Sequence, residues 1–517
     1  MLFLDREHFT PHFFSEKRQG TVTGAVATLL GTLLGGGVLS LPFALRRSGI
    51  VFGAILLLLT AVATDFTVFT LVSCSRRSGG STYESVADVA FGRRAKLLCM
   101  GLVICVTYLP LVGYTILLRD LLAPVAEVML DRTLGGPARN LLVSALVVLI
   151  YPACTLRTLT ALRHLSVLSV LAVSLLTVFI GVRAGECAVS EGVSANAVNV
   201  WPEDGWSGAL QAIPIYICAF GCHFNVLPVH GELAKPTRER LHRLVHWTIG
   251  LVTVFYALVM TLGYTYGVCT GNVSDNILNN FGTDDTLMNV GRVGLAVTLL
   301  VSFPLLTVPL IGTLVRAHRE MIGADTCGKS PLLNLDNPGS IVWPPPRSGL
   351  VGDPSELESP LLNPATLPAD LDDAPDDCFL DNVSIQNSMN SRPELTSAGR
   401  QQADTEEDIP FKTRAWLTLA ILSSELILAF NITMASEVTD VWGFLGSTAN
   451  VMVAFTLPCA AYLKIRLHLP RRREKLGRPL YKKWVAGVLV ILSVVAAITC
   501  TANNFYLLSA RKQGEAP

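Results

Sequence analysis

Two stretches of this chain hold residues whose types and spacing could do chemistry inside a membrane. The first is Gly35-Gly36-Gly37, at the centre of the apolar run 21–45, with Pro42 beyond it. Each glycine in a helix interior costs roughly 1 kcal/mol relative to alanine, and in hydrocarbon every freed backbone group needs a partner. A helix broken at that depth is tolerated where its amides and carbonyls line a cavity, as in the substrate and ion sites of many secondary transporters. The plain alternative is that the glycines only let a neighbouring helix pack closely. The second stretch, Ala219-Phe220-Gly221-Cys222-His223-Phe224-Asn225-Val226-Leu227-Pro228, interrupts the run 206–230 in the same way. The amides of Leu34, Gly35, Gly36 and Gly37 would sit at the positive end of the second half-helix, which suits a carboxylate. Unwound carbonyls of Ala219, Phe220 and Gly221 would suit an ammonium. One site holding both fits a free α-amino acid.

Five further side chains compete for a role. Asp65 and Glu425 are carboxylates inside apolar runs, where burial is costly enough that function is the default reading. Each would carry a coupling proton, or else pair with a base or face water. His223 titrates near neutral pH in its unperturbed form, and its other reading is a structural residue at the break. Tyr108 could reach a substrate carboxylate, although a buried tyrosine usually packs with its hydroxyl satisfied. Ser302 is either an ion ligand or a helix-packing hydroxyl. The sequence carries no HExxH, P-loop or nucleophile elbow, so no enzyme is expected. Its twelve cysteines lack CxxC and Cys/His spacing, so neither a metal nor a redox cofactor is expected.

The elements that position these residues are membrane spans. Of 517 residues, 51% are hydrophobic and 15% charged, with a mean hydropathy of +0.48, too apolar for a soluble protein of this length. Runs of roughly 20 apolar residues mark spanning helices. Eleven are predicted, over 21–45, 50–74, 97–123, 138–155, 160–183, 206–230, 244–268, 289–315, 412–434, 439–463 and 484–508. The stretch Ser81 to Asp88 reads as a short amphipathic helix. The fold class is an all-α integral membrane protein with the lipid bilayer as its surroundings. A net charge of zero gives no reason to expect nucleic acid, and the polar first twenty residues do not read as a cleavable signal.

The predicted organisation is a cytosolic tail at 1–20, eight spans at 21–316, a loop at 317–411, three spans at 412–510 and a tail at 511–517. The loop is rich in Pro, Asp, Ser and Asn, and cannot bury enough apolar surface to offset its ordering entropy, so it is expected to be disordered. Its paired Leu332-Leu333 and Leu361-Leu362 resemble sorting signals, and it could receive a cytosolic partner. Short cytosolic loops are rich in Lys and Arg. Placing the N-terminus in the cytosol puts Arg76, Arg77, Arg93, Arg94, Lys96, Lys235, Arg238, Arg240, Arg243 and Arg471 to Arg473 inside. Arg46 and Arg47 alone argue noticeably the other way. The C-terminus then lies outside, Asn382 is cytosolic, and Asn272 of the sequon Asn272-Val273-Ser274 is expected to be glycosylated.

In this orientation the first and sixth spans enter the membrane from opposite sides. Interrupted spans at matching positions of two inverted halves point to a transporter site, with spans one to five and six to ten as the halves and the eleventh an addition. At these residues the chain resembles the amino acid/auxin permease family, in particular its sodium-coupled neutral and vacuolar amino acid transporter branches. Gly35 to Ala44 followed by Gly49 resembles the family's first-helix signature. Cys222-His223 with Val226-Leu227-Pro228 and Glu232-Leu233 resembles its sixth, and Gly443 to Thr448 with Leu457-Pro458 and Tyr462 its tenth. The resemblance covers all eleven spans and implies the LeuT-like five-plus-five inverted repeat of the APC superfamily, with alternating access. One departure concerns the ion. Sodium-coupled members carry an Asn in the first helix where this chain has Gly31, while the eighth-helix hydroxyl is kept as Ser302. An amide oxygen is a good ligand for sodium and glycine offers only backbone, so H+ or no coupling ion is expected ahead of Na+. Cys187 and Cys269 are the two cysteines in predicted outside loops, facing an oxidising compartment where disulfides persist. The resemblance supports a bridge between them; the alternative is two free thiols.

The function expected is secondary active transport of free, neutral amino acids at a plasma, vacuolar or lysosomal membrane. The rival is an amino-acid sensor with a transporter fold that signals through 317–411.

Overall fold

A computed structural model describes residues 18–156, 163–190, 192, 198–234, 236–322, 409–431, 438–468 and 481–513. Both terminal tails, most of the loop 317–411 with its leucine pairs, and Asn382 lie outside the described residues. Met1–His318 with Glu407–Pro517 forms one unit and Arg319–Glu406 another; everything below concerns the first. Among the described residues there is no strand, and an isolated bridge joins Gly20 to Leu233.

Ten helices are long and apolar enough to cross a membrane, and eleven if the bent pair Val22–Leu33 and Gly36–Ser48 counts as one span. The protein is a multi-pass membrane protein. Its helices overrun their apolar cores. The third span is Arg93–Leu130, the fifth Arg163–Ser190, the seventh Arg238–Cys269 and the eighth Thr286–Ile322. Hydropathy marks only the length that hydrocarbon covers, about 20 residues, whereas intrahelical hydrogen bonds continue into the polar ends. This moves Cys187, expected in a loop, into the last turn of the fifth span, and makes Cys269 the last residue of the seventh. The short helix comes out at Tyr83–Phe91, set by a capping box in which Thr82 and Ser85 satisfy each other's backbone amides.

Burial separates core from periphery. The sixth span, Trp206–Glu232, is 78% buried and the eighth and tenth 72%, whereas the fourth (Gly136–Cys154) and eleventh (Tyr481–Ala510) are 17% buried. The first and sixth spans therefore run through the middle of the bundle. The first starts at Thr21, whose side chain accepts from the Gly24 amide. Its helix stops at Leu33, passes through extended Gly35 into the 3-10 turn Gly36–Ser40, and resumes as Leu41–Ser48 with Pro42 in the first turn. The halves are bent by 51°. The sixth span pauses at 220–222 between Trp206–Ala219 and His223–Glu232. The tenth is a surprise: between Val438–Leu445 and Leu457–His468 it winds as wide π-helical turns over Gly446–Asn450 and Met452–Thr456. Such turns collect at functional sites.

Both ends of the first span are tied down. At one, the Gly20 amide donates to Glu232 O at 2.9 Å, the Ala234 amide to Gly20 O at 2.9 Å, and Arg18 to His230 O at 2.9 Å. At the other, Arg46 pairs with Glu203 at 3.3 Å and Arg47 with Asp204. The two arginines that opposed the charge rule are thus neutralised by the segment preceding the sixth span.

Candidate functional site

A buried polar backbone group is paired in almost every native structure, and the two breaks obey this. The hydroxyl of Tyr256, on the seventh span, lies 2.6 Å from Leu33 O and 2.7 Å from Ala219 O. One fully buried side chain therefore reaches the carbonyls of both breaks, and Phe220 stacks edge-on against its ring at 5.1 Å. Gly35 and Gly36 have no room for a Cβ, which would overlap the Tyr114 hydroxyl at Gly35 and Leu117 at Gly36. The glycines thus serve close approach as well as unwinding. The Gly36 amide faces the Tyr114 hydroxyl as a hydrogen-bond donor.

Beside the breaks lies a cavity of about 40 Å³, bounded by Thr32, Leu33 and Gly37 of the first span and Cys218, Ala219, Gly221 and Phe224 of the sixth. Val106, Pro110 and Tyr114 of the third span, Leu306 of the eighth and Trp442, Leu445 and Asn450 of the tenth close it. This is room for a few water molecules, so a larger solute requires the spans to move apart. Every lining residue is uncharged. Trp442 is 2% exposed and its indole nitrogen has no partner; its ring stands 5.9 Å from that of Tyr114. Asn450 donates to Ile217 O at 2.8 Å.

The expected site residues divide. Gly37, Ala219 and Gly221 line the cavity. Leu34 does not offer its amide, which donates to Leu30 O at 2.8 Å and closes the first half-helix. The Ala219 carbonyl accepts from Tyr256 and the Phe220 carbonyl from the Cys222 amide at 3.0 Å, so each keeps one lone pair rather than two. Tyr108 stands away from the cavity, its hydroxyl 3.0 Å from Ser424 Oγ; Tyr114 holds the place expected for it. Asp65 is not buried: it is half-exposed and pairs with His246 at 2.6 Å, its partner a histidine rather than Lys or Arg. His223 meets Thr67 Oγ1 at 2.9 Å on the second span, and its Nδ1 is buried without a partner.

Around Gly31, Ser302 Oγ donates to Thr298 O at 2.9 Å and lies 3.4 Å from Gly31 O. A side chain at Gly31 would press on Ser166 of the fifth span and Leu305 of the eighth. The amide absent at that position enters from the sixth span instead. Asn225 Nδ2 bonds Thr32 Oγ1 at 3.0 Å and Leu305 O at 3.1 Å, and Oδ1 is buried with no partner. The only sequence signal for Asn225 was its place in the interrupted run. Cys187 and Cys269 form the disulfide, with Cα atoms 6.2 Å apart. Asn272 is exposed and accepts from Arg46 at 3.3 Å.

The sequence from 18 to 504 matches the family described as transmembrane amino acid transporter protein. The chain belongs to that family. It is 25% identical over 461 residues to vacuolar amino acid transporter 7 of Saccharomyces cerevisiae, covering 84% of this chain and 87% of that protein. It is 27% identical over 313 residues to "Putative sodium-coupled neutral amino acid transporter 11" of Bos taurus, covering 58% of this chain and 64% of that one. The chain thus spans just under two thirds of that relative's length. MHP1, a nucleobase-cation-symport-1 family transporter, shares the fold with a TM-score of 0.52 at 11% identity, over 96% of this chain and 94% of that one.

Proposed function

We propose that the protein carries free neutral amino acids across its membrane by alternating access around the breaks of the first and sixth spans. In this reading spans one to five and six to ten are inverted halves, with the N-terminus cytosolic. The observation that carries it is the cavity at the two breaks, bounded by uncharged residues. An α-carboxylate would meet the glycine amides and the unpaired Trp442 indole N–H. An α-ammonium would meet the remaining lone pairs of the sixth-span carbonyls. No charged group stands opposite a substrate side chain, which disfavours acidic and basic substrates. Opening requires the Tyr256 bridge and the closed cavity walls to rearrange together.

For coupling, H+ or no ion is preferred to Na+, because the eighth-span hydroxyl is spent on Thr298 O and Gly31 adds only a carbonyl. The free Asn225 Oδ1 is the group that would argue for a cation. The deciding measurement is uptake of labelled amino acids into proteoliposomes under separate inward proton and sodium gradients. Proton-driven accumulation is the expected result. Sodium-driven accumulation would move the coupling to Asn225, Ser302 and Gly31 O, and binding without transport would favour a sensor.

A further inference from the structure

The buried acid Glu425 of the ninth span (Phe411–Asn431) is 0% exposed, outside the cavity, and used by nothing above. Its Oε2 lies 2.5 Å from Thr115 Oγ1 of the third span, and its Oε1 has no partner. Thr115 Oγ1 also lies 3.0 Å from Leu111 O, its own i−4 carbonyl. A hydroxyl carries one proton and a carbonyl can only accept. Both contacts are made at once only if Glu425 supplies the second proton, as a neutral acid donating O–H to Thr115.

The surroundings agree. From the third span Thr115 faces the carboxyl, and Tyr108 bonds the adjacent Ser424. The fourth span brings Cys154, whose thiol interacts with Glu425 and is hydrogen-bonded to Thr307 of the eighth; Tyr151 of the fourth bonds Ala415 O. On the ninth span itself, Arg414 is three turns away and donates to Leu156 O at 2.6 Å. Among the described residues no Lys, Arg or His is ion-paired with Glu425. A carboxylate buried without a cation is strongly disfavoured.

We propose that Glu425 is the proton-binding residue of the transport cycle, linked to the substrate cavity through Thr115 and its neighbour Tyr114. The step conserves charge and atoms. The Glu425 O–H bond breaks, the proton passes to water admitted when the spans part, and the carboxylate takes the Thr115 proton as a hydrogen bond in place of Leu111 O. Re-protonation from the opposite side returns Thr115 to Leu111. That exchange alters the helical turn carrying Tyr114, which packs on Gly35. The inference rests on the transport reading above and deepens its proton-coupled form.

The test compares wild-type protein with Glu425→Gln in proteoliposomes, measuring proton-driven accumulation and substrate counterflow across pH. Glutamine keeps the shape and cannot release a proton. The expected result is loss of proton-driven accumulation to the equilibrium level, with counterflow surviving on a flat pH profile. A variant that still accumulates with the wild-type profile overturns the inference and leaves the transport reading standing. Wild-type transport indifferent to pH does the same, whereas a wild type that moves no amino acid overturns both. Should E425Q fail to fold, Thr115→Val serves: its pH profile should shift to higher pH, and an unshifted profile overturns the inference. Infrared spectra of wild-type protein give a readout besides activity, since a missing protonated-carboxyl band also overturns it.

Discussion

At the scale of single residues, Tyr256 has the most concentrated role. Its one hydroxyl reaches a carbonyl in each broken span, Leu33 O and Ala219 O. Replacing it with phenylalanine keeps the ring that Phe220 packs against and removes the polar contact. A buried acceptor left unsatisfied costs about 1–3 kcal/mol. Tyr256→Phe should therefore lower the melting temperature and reduce the maximal rate of uptake. An unchanged melting curve with normal uptake would show that the breaks do not need the bridge. Tyr114 makes a related point about spacing. It lies six residues after Tyr108, on another face of the same helix, and the two hydroxyls serve different neighbours: the Gly36 amide for one, Ser424 for the other.

At the scale of elements, the ends of the fifth, seventh and eighth spans form a clasp. The Cys187–Cys269 disulfide joins the fifth to the seventh. Arg183 of the fifth grips Asp285 through two hydrogen bonds of 2.7 and 2.8 Å, and Asp285 also accepts from the Met288 amide at the start of the eighth. Burial pushes the Asp285 carboxyl upward, and the hydrogen bonds from Arg183 and the Met288 amide outweigh it, holding the group below the usual carboxylate range. A depressed carboxylate adds stability above its unfolded value, near 3.9, and loses it as pH falls through the lower folded value. Hydrogen exchange in 270–290 should therefore stay slow at neutral and mildly acidic pH and quicken only in stronger acid. Asp285→Asn should exchange faster at neutral pH and show a smaller acid step. Equal exchange in the two proteins would mean that the disulfide alone holds the clasp.

At the scale of the whole molecule, the orientation rests on charge placement. Arg46 and Arg47 were its main exception, and their pairing with Glu203 and Asp204 reduces the net charge of that end. If the N-terminus is cytosolic, Asn272 faces the secretory lumen, where its exposed side chain can be glycosylated. Protein expressed in a glycosylating cell should run heavier than the Asn272→Gln variant and shift down on glycosidase treatment. No difference in mobility would count against the orientation. The tenth span gives the molecule a feature outside the two-break scheme: its π-helical turns put Asn450 on the cavity wall, and its preceding helix brings Trp442.

The amino-acid sequence by itself determined how many spans there are, where glycine interrupts them and which cysteines pair, because each of these leaves a local mark. An apolar run has the length of the hydrocarbon it must cross, and three consecutive glycines are costly in any helix. The sequence did not determine which face of each span looks inward. In a membrane the outside of a helix is as apolar as its inside, so the pattern that would separate core from surface in water is weak. That is why Tyr108 stood in for Tyr114, why Asp65 looked buried, and why Trp442 and Tyr256 drew no notice. Glu425 was visible as an acid in an apolar run, but its neutral, cation-free surroundings exist only where the third, fourth, eighth and ninth spans meet. Those choices belong to the tertiary structure, which decides by packing what hydropathy cannot distinguish.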